Sequence, residues 1–133
     1  MHYLTTKITF SSYHRLWNPD FTDEQNSEIY QECFRGHGHN YILEVTVKGK
    51  TDLQTGMVMD IKRLNRLLMT EIFPIVDHKN LNQDVAFLKH VIPTAENISI
   101  QFWKILKSKL NEADLHKIRL LESEKNIVEY FGE

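Results

Sequence analysis

HGHNYILEVTVK, residues 37–48, decides the architecture. Tyr41, Leu43, Val45 and Val47 alternate with Ile42, Glu44, Thr46 and Lys48, and a period of two belongs to a strand with one covered face. His37 and His39 share the parity of the apolar residues. Extended backbone through them therefore turns both imidazoles toward the covered side. Gly36 and Gly38 flank His37 and let backbone approach closely. Residues 4–10 repeat the pattern, with Leu4, Ile8 and Phe10 on one parity and Lys7 and Thr9 on the other. If that strand runs on, Ser12 and His14 extend its apolar face. Ile118, Leu120 and Glu122 place a carboxylate in the same way at the end of a third apolar row.

The remaining segments supply helices and turns. Residues 18–32, NPDFTDEQNSEIYQE, begin as a turn at Pro19 and continue as a short polar helix or loop; Gly49 to Gly56 is rich in turn residues. Asp60 is a helix N-cap before a stripe of Ile61, Leu64, Leu67, Leu68 and Ile72 that Pro74 stops. A second helix starts at Thr94 and carries Ile98, Phe102, Ile105 and Leu106 on one face. Strands near 117–122 and 126–131 follow, with a turn at Glu124-Lys125. The order strand, strand, helix, helix, strand, strand predicts an α+β fold: a four-stranded antiparallel sheet with two helices packed on one face. A length of 133 residues with 41% hydrophobic side chains suits one domain over 1–133.

Sixteen basic against eighteen acidic side chains give a net charge of −2, which points away from nucleic acid and anionic membranes as partners. No apolar run approaches the ~18–20 residues of a membrane span. Cys33 is the only cysteine, so no internal disulfide can form. With an opening stretch unlike a signal peptide, this predicts a reducing, cytoplasmic setting.

Three neutral imidazoles at strand ends suit Zn²⁺ and leave a fourth position for water or substrate, the arrangement of a catalytic zinc. The bland counterpart is an H-x-H turn beside an ordinary His14, because periodicity does not prove the two strands adjacent. For Glu122 it is a solvated carboxylate beyond a strand ending at Leu121. Cys33, four residues before His37, is either a small buried hydrophobe or a thiol that neighbouring metal and basic groups shift toward thiolate. Asp77 and His78 can cooperate only if a turn brings their side chains together.

Taken in order, FSSYHRL (10–16), CFRGHGHNY (33–41), TGMVMDI (55–61), VDHKNLN (76–82), PTAEN (93–97) and LESEKNIVEY (121–130) resemble the 6-pyruvoyl- and 6-carboxy-tetrahydropterin synthase family across nearly the whole chain. The resemblance implies a T-fold subunit that oligomerises into a barrel as trimers or hexamers, and a zinc-dependent lyase acting on 7,8-dihydroneopterin triphosphate. It implies His14, His37 and His39 as zinc ligands, Cys33, Asp77 and His78 as the proton-transfer group, and Glu122 as the pterin anchor. Thr94 and Glu96 fall in a second pterin-contact motif. Arg15, Arg35 and Lys79 are candidates for triphosphate contacts that sequence does not separate from solvated surface charges.

The family has two product branches. The four-residue step from Cys33 to His37 is typical of the 6-carboxy branch, whose product feeds queuosine-type deazapurine synthesis. The insert between His14 and Cys33 and the segments GHGHNY, TGMVMD, DHKNLN and NIVEY look more like the 6-pyruvoyl branch. Ala95 and Ser123 depart from threonine or hydroxyl-bearing positions of relatives. Because loop length sets where the thiol sits, the expectation is the 6-carboxy product. The alternatives are 6-pyruvoyl-tetrahydropterin, a non-catalytic pterin- or metal-binding protein, and zinc-free aldol cleavage of dihydroneopterin.

Overall fold

The long alternating segments pair as one hairpin. In the computed structural model, which describes residues 1–133, β1 (His2–His14) and β2 (His37–Gly49) run antiparallel, from His2 opposite Gly49 to His14 opposite His37. β4 (Asp114–Leu121) pairs with β2, and β5 (Ile127–Tyr130) pairs with β4, both antiparallel. The sheet has a fifth strand, β3 (Lys79–Asn80), which lies parallel to β1 and makes the order β3-β1-β2-β4-β5. The expected four-stranded antiparallel sheet is therefore five-stranded and mixed. Two residues are too few to show a period, so β3 left no trace in the pattern of apolar residues.

The helices form where capping and amphipathicity place them. α2 (Ile61–Glu71) starts at Asp60, whose side chain accepts from the Lys62 N–H at 2.9 Å. Pro74 does not simply end that stripe; it sits in the first turn of a short helix, α3 (Phe73–Val76), where its missing N–H costs nothing. α4 (Ala95–Lys109) starts at Thr94, which accepts from the Asn97 N–H at 3.2 Å. The polar segment after Pro19 contains α1 (Asp23–Tyr30), closed by a capping box between Thr22 and Gln25.

α2 packs on β1, and α4 on β4 and β5. Leu64, Leu68, Ile98, Phe102 and Leu106 meet Phe10, Tyr41, Leu43, Val45, Ile118 and Leu120 in one core. The opposite face is polar, with Thr5 Oγ1 2.8 Å from Thr46 Oγ1 and Lys117 2.9 Å from Glu129. No helix is long and apolar enough to cross a membrane.

Candidate active site

β1 keeps its alternation to its last residue, so His14 follows Phe10 and Ser12 onto the covered face and is only 1% exposed. The hairpin register sets His14 opposite His37 and Ser12 opposite His39. The three rings meet nearly edge to face, with centroids 5.0, 5.0 and 4.4 Å apart. One ligand atom from each of His14, His37, His39 and Glu122 lies within 4.8 Å of all the others. β4 does end at Leu121, yet Glu122 is not solvated away: its Oε1 is 3.5 Å from His39 Nε2.

The protonation pattern follows from burial and one backbone contact. His14 Nδ1 lies 2.7 Å from the Pro93 carbonyl, and a carbonyl only accepts, so the hydrogen is on Nδ1 and the Nε2 lone pair faces the cluster. His14 Nε2 and His39 Nε2 are buried without a hydrogen-bond partner. Burial lowers the pKa of both His14 and His39, outweighing the pull of the Glu122 charge. Neutral imidazoles with orphaned lone pairs are what a cation needs. Tetrahedral zinc at 2.0–2.1 Å sets its ligands roughly 3.4 Å apart, and one nitrogen each of His14, His37 and His39 lies within 4.8 Å of the other two. The residues fit the ion.

Asp77 and His78 meet at a turn, as cooperation requires. His78 has a left-handed φ of 57°, and its Nδ1 lies 2.8 Å from Asp77 Oδ2. Asp77 Oδ1 accepts the Ser11 N–H at 3.0 Å, and the Ser11 carbonyl accepts the His78 N–H at 2.6 Å. The Ser11 N–H, followed by His78, holds the Asp77 carboxyl below the usual carboxylate range. His78 is exposed, and lines one depression with His39 and Lys79. Asp77, His39 and Glu122 line an adjoining one.

Cys33 sits in a 3-10 turn, Gln31–Phe34, that leads into β2. Three successive carbonyls tie this loop to the end of β1: Cys33 accepts from the Leu16 N–H at 2.9 Å, Phe34 from Arg15 Nε at 2.6 Å, and Arg35 from Tyr13 Oη at 3.1 Å. Burial pushes the half-buried thiol up, and the charges of Glu122 and Glu32 push it further. The expected basic surroundings are thus replaced by acidic ones, and the chain alone holds Cys33 as a thiol.

The second motif is divided. Glu96 is exposed and borders a depression shared with Glu122 and Lys125, whereas the Thr94 oxygen is engaged as the α4 cap. Ser123 also has a local task, accepting from the N–H groups of Lys125 and Asn126, each at 3.2 Å. The sequence reading took Tyr41 only as core. It is fully buried, its ring 5.5 Å from that of His39, and its hydroxyl has no partner. Its place on the His37–His39 parity was the available signal. The Pro93 and Ser11 backbone contacts had none, because main-chain atoms are common to every residue.

Fold and cluster together define a small α+β protein with three imidazoles and a carboxylate converging at one end of its sheet. Residues 3–133 match the family model described as 6-pyruvoyl tetrahydropterin synthase, and the chain belongs to that lyase family. It is 42% identical over 130 residues to the 6-pyruvoyl tetrahydrobiopterin synthase of Dictyostelium discoideum, covering 98% of this chain and 96% of that one. The Caenorhabditis elegans 6-pyruvoyl tetrahydropterin synthase structure superposes with a TM-score of 0.91 at 36% identity, covering 100% of this chain and 98% of that one. Similarity to the Aquifex aeolicus 6-carboxy-5,6,7,8-tetrahydropterin synthase is lower, 31% over 135 residues, covering 84% of this chain and 83% of that one. The higher similarity to 6-pyruvoyl synthases favours the 6-pyruvoyl alternative over the expected 6-carboxy product.

Proposed function

We propose that this chain converts 7,8-dihydroneopterin triphosphate to 6-pyruvoyl-tetrahydropterin with loss of triphosphate, at a zinc site formed by His14, His37 and His39. The observation that carries the reading is the convergence of three imidazoles beside Glu122, with the Nε2 atoms of His14 and His39 buried and unpartnered, in a chain most similar among the relatives above to 6-pyruvoyl synthases. Zinc, when bound, supplies Lewis-acid polarisation of the substrate's side-chain oxygens.

The chain's own groups do the rest. Glu122 accepts hydrogen bonds from the amino-pyrimidine edge and fixes which ring face meets the base. Glu96 and the Thr94 hydroxyl complete the pterin contacts. Cys33 and the Asp77-oriented His78 exchange protons with the side-chain carbons. The electrons balance within the substrate: oxidation of the first side-chain carbon to a ketone reduces the ring. Loss of a proton from the second side-chain carbon then expels triphosphate from the third with the C–O electron pair, and the resulting enol takes up a proton at the third carbon to leave the second ketone beside a methyl group. No nicotinamide or flavin is required.

The reading includes one T-fold domain over 1–133 that assembles as a homo-oligomer, with the outer edge of β5, the last strand in the sheet order, open to a neighbouring copy. Triphosphate release should track bound zinc, and His39→Ala should lose zinc and release together. Release that persists after zinc is stripped contradicts the proposal. Full zinc and pterin binding without release favours the non-catalytic reading.

A further inference from the structure

Arg15 is a half-buried cation held rigidly and left without a counter-ion. Its backbone is clamped by one side chain, with Asn82 Oδ1 accepting from its N–H and Asn82 Nδ2 donating to its carbonyl, both at 2.7 Å. The guanidinium donates through Nε to the Phe34 carbonyl at 2.6 Å, and lies 4.4 Å from the Phe34 ring centroid and 5.4 Å from that of Trp17. Arg63 pairs with Glu112 and Arg119 with Glu44; Arg15, Arg35 and Arg66 have no ion pair, and of these three only Arg15 is half-buried. Its two terminal amino groups make no hydrogen bond to the chain. Fixing a guanidinium in a partly desolvated place without an anion is unfavourable unless a ligand brings one.

Its position says which ligand. Arg15 lines a concave depression with Trp17, Asn82, Gln83 and His90, whose only carboxylate is the exposed Asp20. Tyr13 and Asn80 border both this depression and the one holding His39, His78 and Lys79. The two spaces adjoin, one with the reacting groups and one with a preset fork for a phosphate. The Phe34 carbonyl that Arg15 holds follows Cys33, so the same side chain couples the anion end to the thiol loop.

We propose that Arg15 binds the substrate's triphosphate and holds it as leaving group, a role that rests on the pterin triphosphate reading above. The test titrates zinc-loaded protein by calorimetry with two separate probes, inorganic tripolyphosphate and 7,8-dihydroneopterin, in wild type, Arg15→Gln and Arg15→Lys. Arg15→Gln should weaken tripolyphosphate by about tenfold or more, the loss expected for charge-assisted hydrogen bonds, and leave dihydroneopterin affinity within about twofold. Arg15→Lys, which keeps the charge and loses the fork, should fall between. Unchanged tripolyphosphate affinity in both variants overturns the proposal. An equal loss for both probes also overturns it, by showing a merely structural role. Wild-type protein that binds tripolyphosphate but not dihydroneopterin sinks the pterin reading while leaving the anion site measurable.

Discussion

His14 is buried and His39 half-buried, and the desolvation of the two rings has a measurable cost in acid. In the unfolded chain both take up a proton near pH 6.5; in the metal-free folded chain desolvation lowers their pKa. As pH falls below about 6.5 the unfolded state therefore binds more protons, and stability drops until the folded-state pKa values are reached. Urea unfolding of metal-free protein between pH 8 and 5 should show full stability at the upper end. The decline below 6.5 should approach about 1.4 kcal/mol per pH unit for each proton taken up on unfolding. His14→Asn should flatten that decline; an unchanged slope would contradict the neutral assignment. Strand parity marked these histidines and Glu122 as inward candidates, but the convergence of the rings depends on the hairpin register, which parity does not give. The electrostatic setting of Cys33 was not legible, because the sequence does not show that the distant Glu122 charge acts on the thiol.

At the scale of elements, the site depends on how β1 and α4 are held at their ends. Pro93 accepts from His14 and the next residue, Thr94, caps α4, so the cluster-facing ring and the helix start are positioned together. Thr94→Ala should lower stability by about 1 kcal/mol, within the usual 0.5–2 kcal/mol for lost N-caps, as read by denaturant titration. Glu96→Gln, at an exposed position with no capping task, should leave stability within about 0.5 kcal/mol and raise KM. Equal stability losses in the two variants would contradict this division. Gly36, at φ +87°, has the Tyr13 ring where a Cβ would project, so a side chain at this turn into β2 strains the backbone and displaces Tyr13. The two long strands and both long helices were legible because each repeats its period several times or opens on a strong cap. β3 and the anchoring of the Cys33 loop were not: one is two residues long, and the other uses backbone carbonyls.

For the whole molecule, chain-wide similarity and the length of one loop point to different products. The spacing from Cys33 to His37 favoured the 6-carboxy branch, while GHGHNY, DHKNLN and NIVEY pointed the other way and agree with the relatives. The most direct measurement is the product itself: zinc-loaded protein incubated anaerobically with 7,8-dihydroneopterin triphosphate, and the pterins identified by mass spectrometry. The account predicts 6-pyruvoyl-tetrahydropterin with released triphosphate; 6-carboxy-tetrahydropterin with acetaldehyde, or substrate left intact, would contradict it.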